Sequence, residues 1–178
     1  MGDPYRGAVS WDSRGDEKIG VFHPGHIGLF RVHVGGLRKL ALDRLAEHAD
    51  GPRVQLDRRL DAVLWTRRFG ENTPAAPELD MLIPAADRLG ALLGLLPSEG
   101  GVVVLRGWPE RYLMGTVALD VKVAIEAWLR SWRLGELVDD VPCPDEATQL
   151  LWERQCHWLQ EQIITPLRPQ PQTAPEPL

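Results

Sequence analysis

The sequence predicts a helix-rich α+β domain: about five helices, a short N-terminal β-hairpin, one further strand and a Pro-rich disordered C-terminal tail. Three observations carry this. Five segments repeat apolar residues at helical spacing. Two short runs near the N-terminus and one after residue 100 have strand character. Five prolines fall within the 13 residues from Pro166 onward.

At 178 residues the chain fits one domain with short appendages. We expect a flexible N-terminal arm over 1–17, a globular domain over 18–165 and the tail over 166–178. A hydrophobic share of 44% with 25% charged residues is ordinary globular usage. A domain of this size buries about two-thirds of its unfolded surface and needs no metal or disulfide staple.

The arm is polar apart from Tyr5, Val9 and Trp11. Ile19–Phe22 and Ile27–Val34 follow, separated by His23-Pro24-Gly25-His26. Phe30, Val32 and Val34 alternate with Arg31 and His33, and Pro24-Gly25 is turn chemistry, so these two runs are expected to pair as the hairpin, closed by Gly35-Gly36. Leu37–Asp50 reads as a helix with Leu37, Ala41, Leu45 and His48 on one face and Gly51 past its end. Arg53–Phe69 is a second helix, apolar on two sides: Leu56, Leu60, Val63 and Leu64 on one, Val54, Ala62, Trp65 and Phe69 on the other. Such a helix packs between neighbours or offers one side to a partner.

Residues 71–78 are a Pro-broken linker. The third helix, Leu79–Leu96, carries a Leu82/Ala86/Leu89/Leu93/Leu96 stripe, with regular geometry expected from Pro84 on. Ala86, Gly90 and Gly94 form a smooth strip, which implies close approach of another backbone, since each glycine costs roughly 1 kcal/mol against Ala. Val102–Leu105 reads as a buried strand. Residues 109–134 fit two patterns. Val117, Leu119, Val121, Val123 and Ile125 alternate as in a strand, but Met114, Val117, Ala118, Val121, Ala124, Ile125, Trp128, Leu129 and Trp132 share one helical arc. More residues fit the helix, and Pro109 suits its first turn. The last helix spans Asp145–Ile164. Its apolar arc of Leu151, Trp152, Trp158, Leu159 and Ile163 is interrupted by Thr148, Gln155 and Gln162.

Catalytic patterns are sparse. With two cysteines the chain is no disulfide scaffold. The N-terminus lacks a signal-peptide core, no apolar run is long enough for a membrane span, and a cytoplasmic location without membrane contact is the expectation. His23 and His26 are weak candidates for a metal site, with Asp16 or Glu17 as a third ligand. Their spacing sits on a turn and no strong ligand set completes it, so no metal or other cofactor is expected. Cys156 and His157 are helix neighbours pointing about 100° apart, so they cannot act as a nucleophile–base pair. Asp139-Asp140 read as solvated charge. Gly100-Gly101 precede a strand rather than follow one and cannot cradle a phosphate.

Charge and tryptophan say more. The cations are 17 Arg and three Lys, on a chain of net charge −5, and the arginine excess fits the codon usage of a GC-rich genome. Residues 31–69 carry +4 and 134–178 carry −6. Arg38, Lys39, Arg53, Arg58 and Arg59 could follow a phosphate backbone, which makes a nucleic-acid-binding regulator the alternative reading. Tryptophan adjoins arginine repeatedly, as in Trp65-Thr66-Arg67-Arg68-Phe69. Trp and Arg often dominate protein interfaces. Trp65, Arg67, Arg68, Phe69, Trp152 and Trp158 are therefore the candidate partner-binding residues. The expected function is a non-catalytic interaction or assembly factor of a larger complex, acting on another protein or on a second copy of itself.

Overall fold

A computed structural model describes residues 8–49, 60, 63–64, 78–99, 101–134 and 143–168. Its strands are β1 (Ser10–Arg14), β2 (Glu17–Val21) and β3 (Val102–Arg106), and its helices α1 (Pro24–Ala49), α2 (Glu78–Leu95), α3 (Gly107–Arg133) and α4 (Glu146–Leu159). Helix α4 continues through a π-turn, Gln160–Ile164, into a final helical turn, Thr165–Leu167.

The strands form one antiparallel sheet in the order β1-β2-β3. Arg14 pairs with Glu17, so two residues close the hairpin, and Gly15 takes the left-handed conformation (φ 60°) such a turn demands. Across β2, Glu17 pairs with Arg106 and Val21 with Val102. The sheet is sealed beyond β2 by the Phe22 N–H, which donates to the Gly101 carbonyl at 2.6 Å. A Cβ on Gly101 would stand 1.8 Å from the Phe22 oxygen, so only glycine fits there.

A hairpin and one further strand were expected, and both exist, but the hairpin lies one segment nearer the N-terminus. Residues 10–14 belong to β1 rather than to a free arm, and Ile27–Val34 belongs to α1. The reason is packing. Ile27, Phe30, Val34, Leu37 and Ala41 are all buried at helical spacing, whereas Val32, which made the alternation look like a strand, is 68% exposed. Gly35-Gly36 lie inside α1 and do not end it. Pro24 opens the helix, where its missing N–H costs nothing, and the His23 Nδ1 accepts the Gly25 N–H at 3.2 Å.

The ambiguous stretch 116–126 is helical and buries Val117, Ala118, Val121, Ala124 and Ile125. Helix α2 starts at Glu78, with Pro84 inside it rather than at its start. Asp80, Ile83 and Pro84 are exposed, so the carbonyl that Pro84 leaves without a donor lies on the wet side. The strip over Gly90 is covered by a side chain and not by a backbone: a Cβ there would come within 2.9 Å of the Arg38 Nε. The Gly94 position faces open space. Asp145 caps α4 by accepting the Thr148 N–H at 2.7 Å, and this bonding lowers its carboxyl pKa.

The main core joins Val9 and Phe22 beside the hairpin, Ile27, Phe30 and Val34 of α1, Leu89 and Leu92 of α2, Val103 and Leu105 of β3, Met114 and Val121 of α3, and Leu159 and Ile163 of the C-terminal helical segment. A smaller cluster gathers Ala41, Leu60, Leu64, Leu82, Ala85 and Ala86. Leu60, Val63 and Leu64 are helical and buried, on the single side assigned to them by spacing. The rest of the expected 53–69 helix, residues 71–77 of the expected linker and residues 169–178 of the tail lie outside the described residues, while Glu78, assigned to the linker, opens α2. Arg88 of α2 holds α3 by donating from Nε and Nη2 to the buried Asp120 carboxylate, at 3.1 and 3.0 Å. Arg31 of α1 closes the C-terminal end of α2 by donating to the Leu93 and Leu96 carbonyls.

Candidate interaction site

Three tryptophans converge where α3 meets α4. Trp128 and Trp132 are one turn apart on α3, with ring centroids 4.9 Å apart, and Trp152 of α4 stacks on both, at 5.4 and 5.2 Å. Trp132 is buried, while Trp128 and Trp152 are half-buried. Their outer faces form one wall of an open apolar cleft of about 200 Å³. Val121, Ala124 and Ile125 of α3 floor it, and Val32, His33, Gly36 and Leu37 of α1 make the opposite wall. Gly36 has open space at its Cβ position, as do Gly28 and Gly35, so this side of α1 is low and accessible.

A polar groove lies on the other side of the α3–α4 seam. Lys122 pairs with Glu126 at 2.8 Å, and Arg133 donates to Glu153 across the two helices. Cys156 sits beneath it, and its thiol is pushed up to about 12, first by burial and then by the Glu126 carboxylate. A thiol held protonated in this way is a packing group and not a nucleophile. His157 is exposed on the next position of the helix.

Of the residues singled out from sequence, Trp152 stands at the cleft. Trp158 does not: it is 5% exposed and packs edge-on to Phe22 at 6.1 Å and against His26 at 4.9 Å. One helical arc held both tryptophans, but six residues of rotation send Trp158 under the sheet and Trp152 toward α3. Trp65, Arg67, Arg68, Phe69, Arg53, Arg58 and Arg59 lie outside the described residues. Arg38 is exposed and runs over Gly90, and Lys39 pairs with Asp43 at 2.6 Å. His23 serves the start of α1, and His26 is buried with its ring 5.5 Å from that of His23. The carboxylates once paired with them are engaged elsewhere, Asp16 by Arg111 and Glu17 by Arg106. Among the described residues no group of three or more His, Cys, Asp and Glu could hold a metal ion, and no helix is long and apolar enough to cross a membrane.

Sequence reasoning missed Val32 and Gly36 as cleft residues. Their signal was present: Val32 is the apolar residue left over once 27, 30, 34, 37 and 41 are assigned to a buried helical stripe. Comparison with protein-family models, with curated proteins and with solved structures finds no match to this chain.

Proposed function

We propose that the chain is a non-catalytic interaction or assembly factor that receives an apolar side chain of a partner protein, or of a second copy, in the cleft between α1, α3 and α4. The observation that carries this reading is the pairing of Val32, 68% exposed at the rim, with an open cleft walled by Trp128 and Trp152. An accessible apolar recess beside large aromatic faces is where interface energy concentrates, because a buried anchor there gains area at little entropic cost. The recess is large enough for a leucine or phenylalanine side chain.

The test is association of the full chain, measured by light scattering and by co-purification from its own cell extract. Val32→Asp and Trp152→Ala are expected to abolish association while circular dichroism stays unchanged. A wild-type chain that is monomeric at all concentrations and recovers no partner overturns the proposal.

A further inference from the structure

Among the described residues no further strand pairs with either edge of the sheet, yet only one edge is shielded. The register fixes which backbone groups face each edge. Phe22 donates its N–H to the Gly101 carbonyl and Gly107 donates to Asp16, so β2 bonds β3 at positions 101, 103, 105 and 107. The N–H and C=O groups of Val102, Val104 and Arg106 therefore point away from the sheet. On the opposite edge the outward groups belong to Val9, Trp11 and Ser13.

The β1 edge is closed. Gln162 accepts the Val9 N–H, the Asp12 side chain accepts the Ser13 N–H, and the Trp11 indole reaches across to the Gln162 carbonyl. At β3 the Arg106 N–H is taken by the Glu110 carboxylate at 2.6 Å. Val102 and Val104 keep their outward donors and acceptors without a partner among the described residues. Protein sheets usually blunt such an edge with a lysine, a proline or a bulge, and Val102-Val103-Val104 has none of these.

The side chains beside this edge are apolar as well. Val102 is 55% exposed and Val21 50%, and they pair on the sheet face turned away from the core. Val104 pairs with Ile19 on the same face.

The edge complements itself. Two copies related by a two-fold axis at Val103 pair antiparallel, Val102 of each with Val104 of the other. Each pair exchanges two hydrogen bonds, so every outward donor of Val102 and Val104 finds an acceptor. Arg106 lies beyond the paired stretch, and its N–H stays with Glu110. Val21 and Val102 of one copy then continue into Val104 and Ile19 of the other, a row bounded by the polar Ser10 and Asp12. Charge favours the same direction. Exposed Glu99 stands just ahead of β3 and exposed Arg106 at its far end, so antiparallel pairing brings unlike charges together, whereas parallel pairing sets Arg106 against Arg106.

We propose that the β3 edge is a self-association surface whose occupant is the β3 edge of a second copy, joined antiparallel at Val102 and Val104 into one six-stranded sheet. The outer edges of that sheet are the two shielded β1 strands, so assembly stops at two copies. The contact is separate from the cleft, and with two bonded residues per strand it belongs to the small, weak class of interfaces.

The test uses the full chain carrying Val32→Asp, which removes the cleft's association, so that failure here and failure of the cleft reading are separable. Sedimentation equilibrium is followed from about 10 µM to about 1 mM, the range of a weak interface, with amide exchange of Val102 and Val104 measured by NMR alongside. A monomer–dimer equilibrium is expected, without larger species. For a Kd of about 0.1 mM roughly one chain in five is free at about 1 mM, so both amides should exchange about fivefold more slowly there than in dilute solution. Val104→Pro removes an outward donor without touching the ladder to β2, and Val102→Lys sets a charge within the paired stretch. Both variants are expected to keep the circular dichroism spectrum and to stay monomeric throughout. A chain still monomeric at the highest concentration, a dimer that survives Val102→Lys, larger polymers, or amides protected equally at every concentration would each overturn the proposal.

Discussion

The Trp11 indole N–H donates to the main-chain oxygen of Gln162 at 2.8 Å, and that oxygen is the one whose α-helical donor would be the amide of residue 166, a proline. Pro166 has no amide proton, so the C-terminal helix reaches it with an unpaired carbonyl, and the N-terminal hairpin fills the gap. The Gln162 side chain adds a second tie, its Oε1 accepting the Val9 N–H at 2.9 Å. The π-turn at Gln160–Ile164 lies where these ties are made.

Removing the donor should therefore cost more than the ring change alone. Trp11→Phe is expected to destabilise the fold by about 1–2 kcal/mol, the range for a part-buried carbonyl left without its partner. Pro166→Ala supplies an amide in the helix and should make the Trp11→Phe cost smaller. A double-mutant cycle by denaturant unfolding measures this coupling. Equal Trp11→Phe costs with Pro166 and with Ala at that position would sink the account.

Arg88 and Asp120 make another long-range polar tie. Asp120 is 4% exposed, and Arg88 grips it through two guanidinium nitrogens. Asp120→Ala leaves a largely buried guanidinium without its counter-charge, for a loss of about 3–5 kcal/mol. Joint replacement, Arg88→Met with Asp120→Leu, should recover most of that loss, because the desolvation of both charges disappears with them. Thermal unfolding of the three variants decides it. A double variant no more stable than Asp120→Ala would mean that the pair contributes through more than charge compensation.

Much of this fold is legible in the sequence, and what is not has physical causes. The α3 stripe outweighs the strand alternation of 117–125 because a 26-residue pattern averages out local coincidence. Ile27–Val34 is too short for that, and a period of 2 and a period of 3.6 share positions 30 and 34, with Val32 alone to separate them until the buried Leu37 and Ala41 extend the count. Gln162 looked like a flaw in an apolar arc; a polar side chain in such a place is there to satisfy a distant backbone, which no local pattern discloses. The cleft was half visible. Trp152 was singled out, but its separation from Trp158 depends on which neighbour each side of α4 meets, and helix spacing carries no information on that.

The two cysteines should differ sharply in reactivity. Cys143 is exposed and Cys156 is buried, with its thiol pushed up to about 12 from an ordinary 9.0, chiefly by burial. At pH 8 one thiol is expected to react rapidly with an aromatic disulfide reagent and the second only on unfolding. The sign of the pH effect follows from linkage: between about 9 and 12 the unfolded chain has lost a proton that the folded chain retains, so stability falls as pH rises through that window. Cys156→Ala should flatten this decline between pH 9 and 10.5. Two equally fast thiols in the native protein would contradict the assignment.

Glycines offer the sharpest separation of fold from function. Gly101→Ala forces a Cβ onto the Phe22 carbonyl and should cost at least about 1–3 kcal/mol through displacement of β3. Gly28→Ala and Gly35→Ala meet nothing within 4 Å in α1 and should each stabilise by about 0.5–1 kcal/mol, the helix propensity difference. Gly36→Ala should stabilise to the same degree, but it adds a methyl to the wall of the cleft facing Trp128 and Trp152. If that cleft takes a partner's side chain, this one variant will raise the unfolding midpoint while weakening association, and Gly28→Ala will raise the midpoint without that loss. A Gly36→Ala chain that is more stable and associates as well as wild type would move the interface away from the cleft.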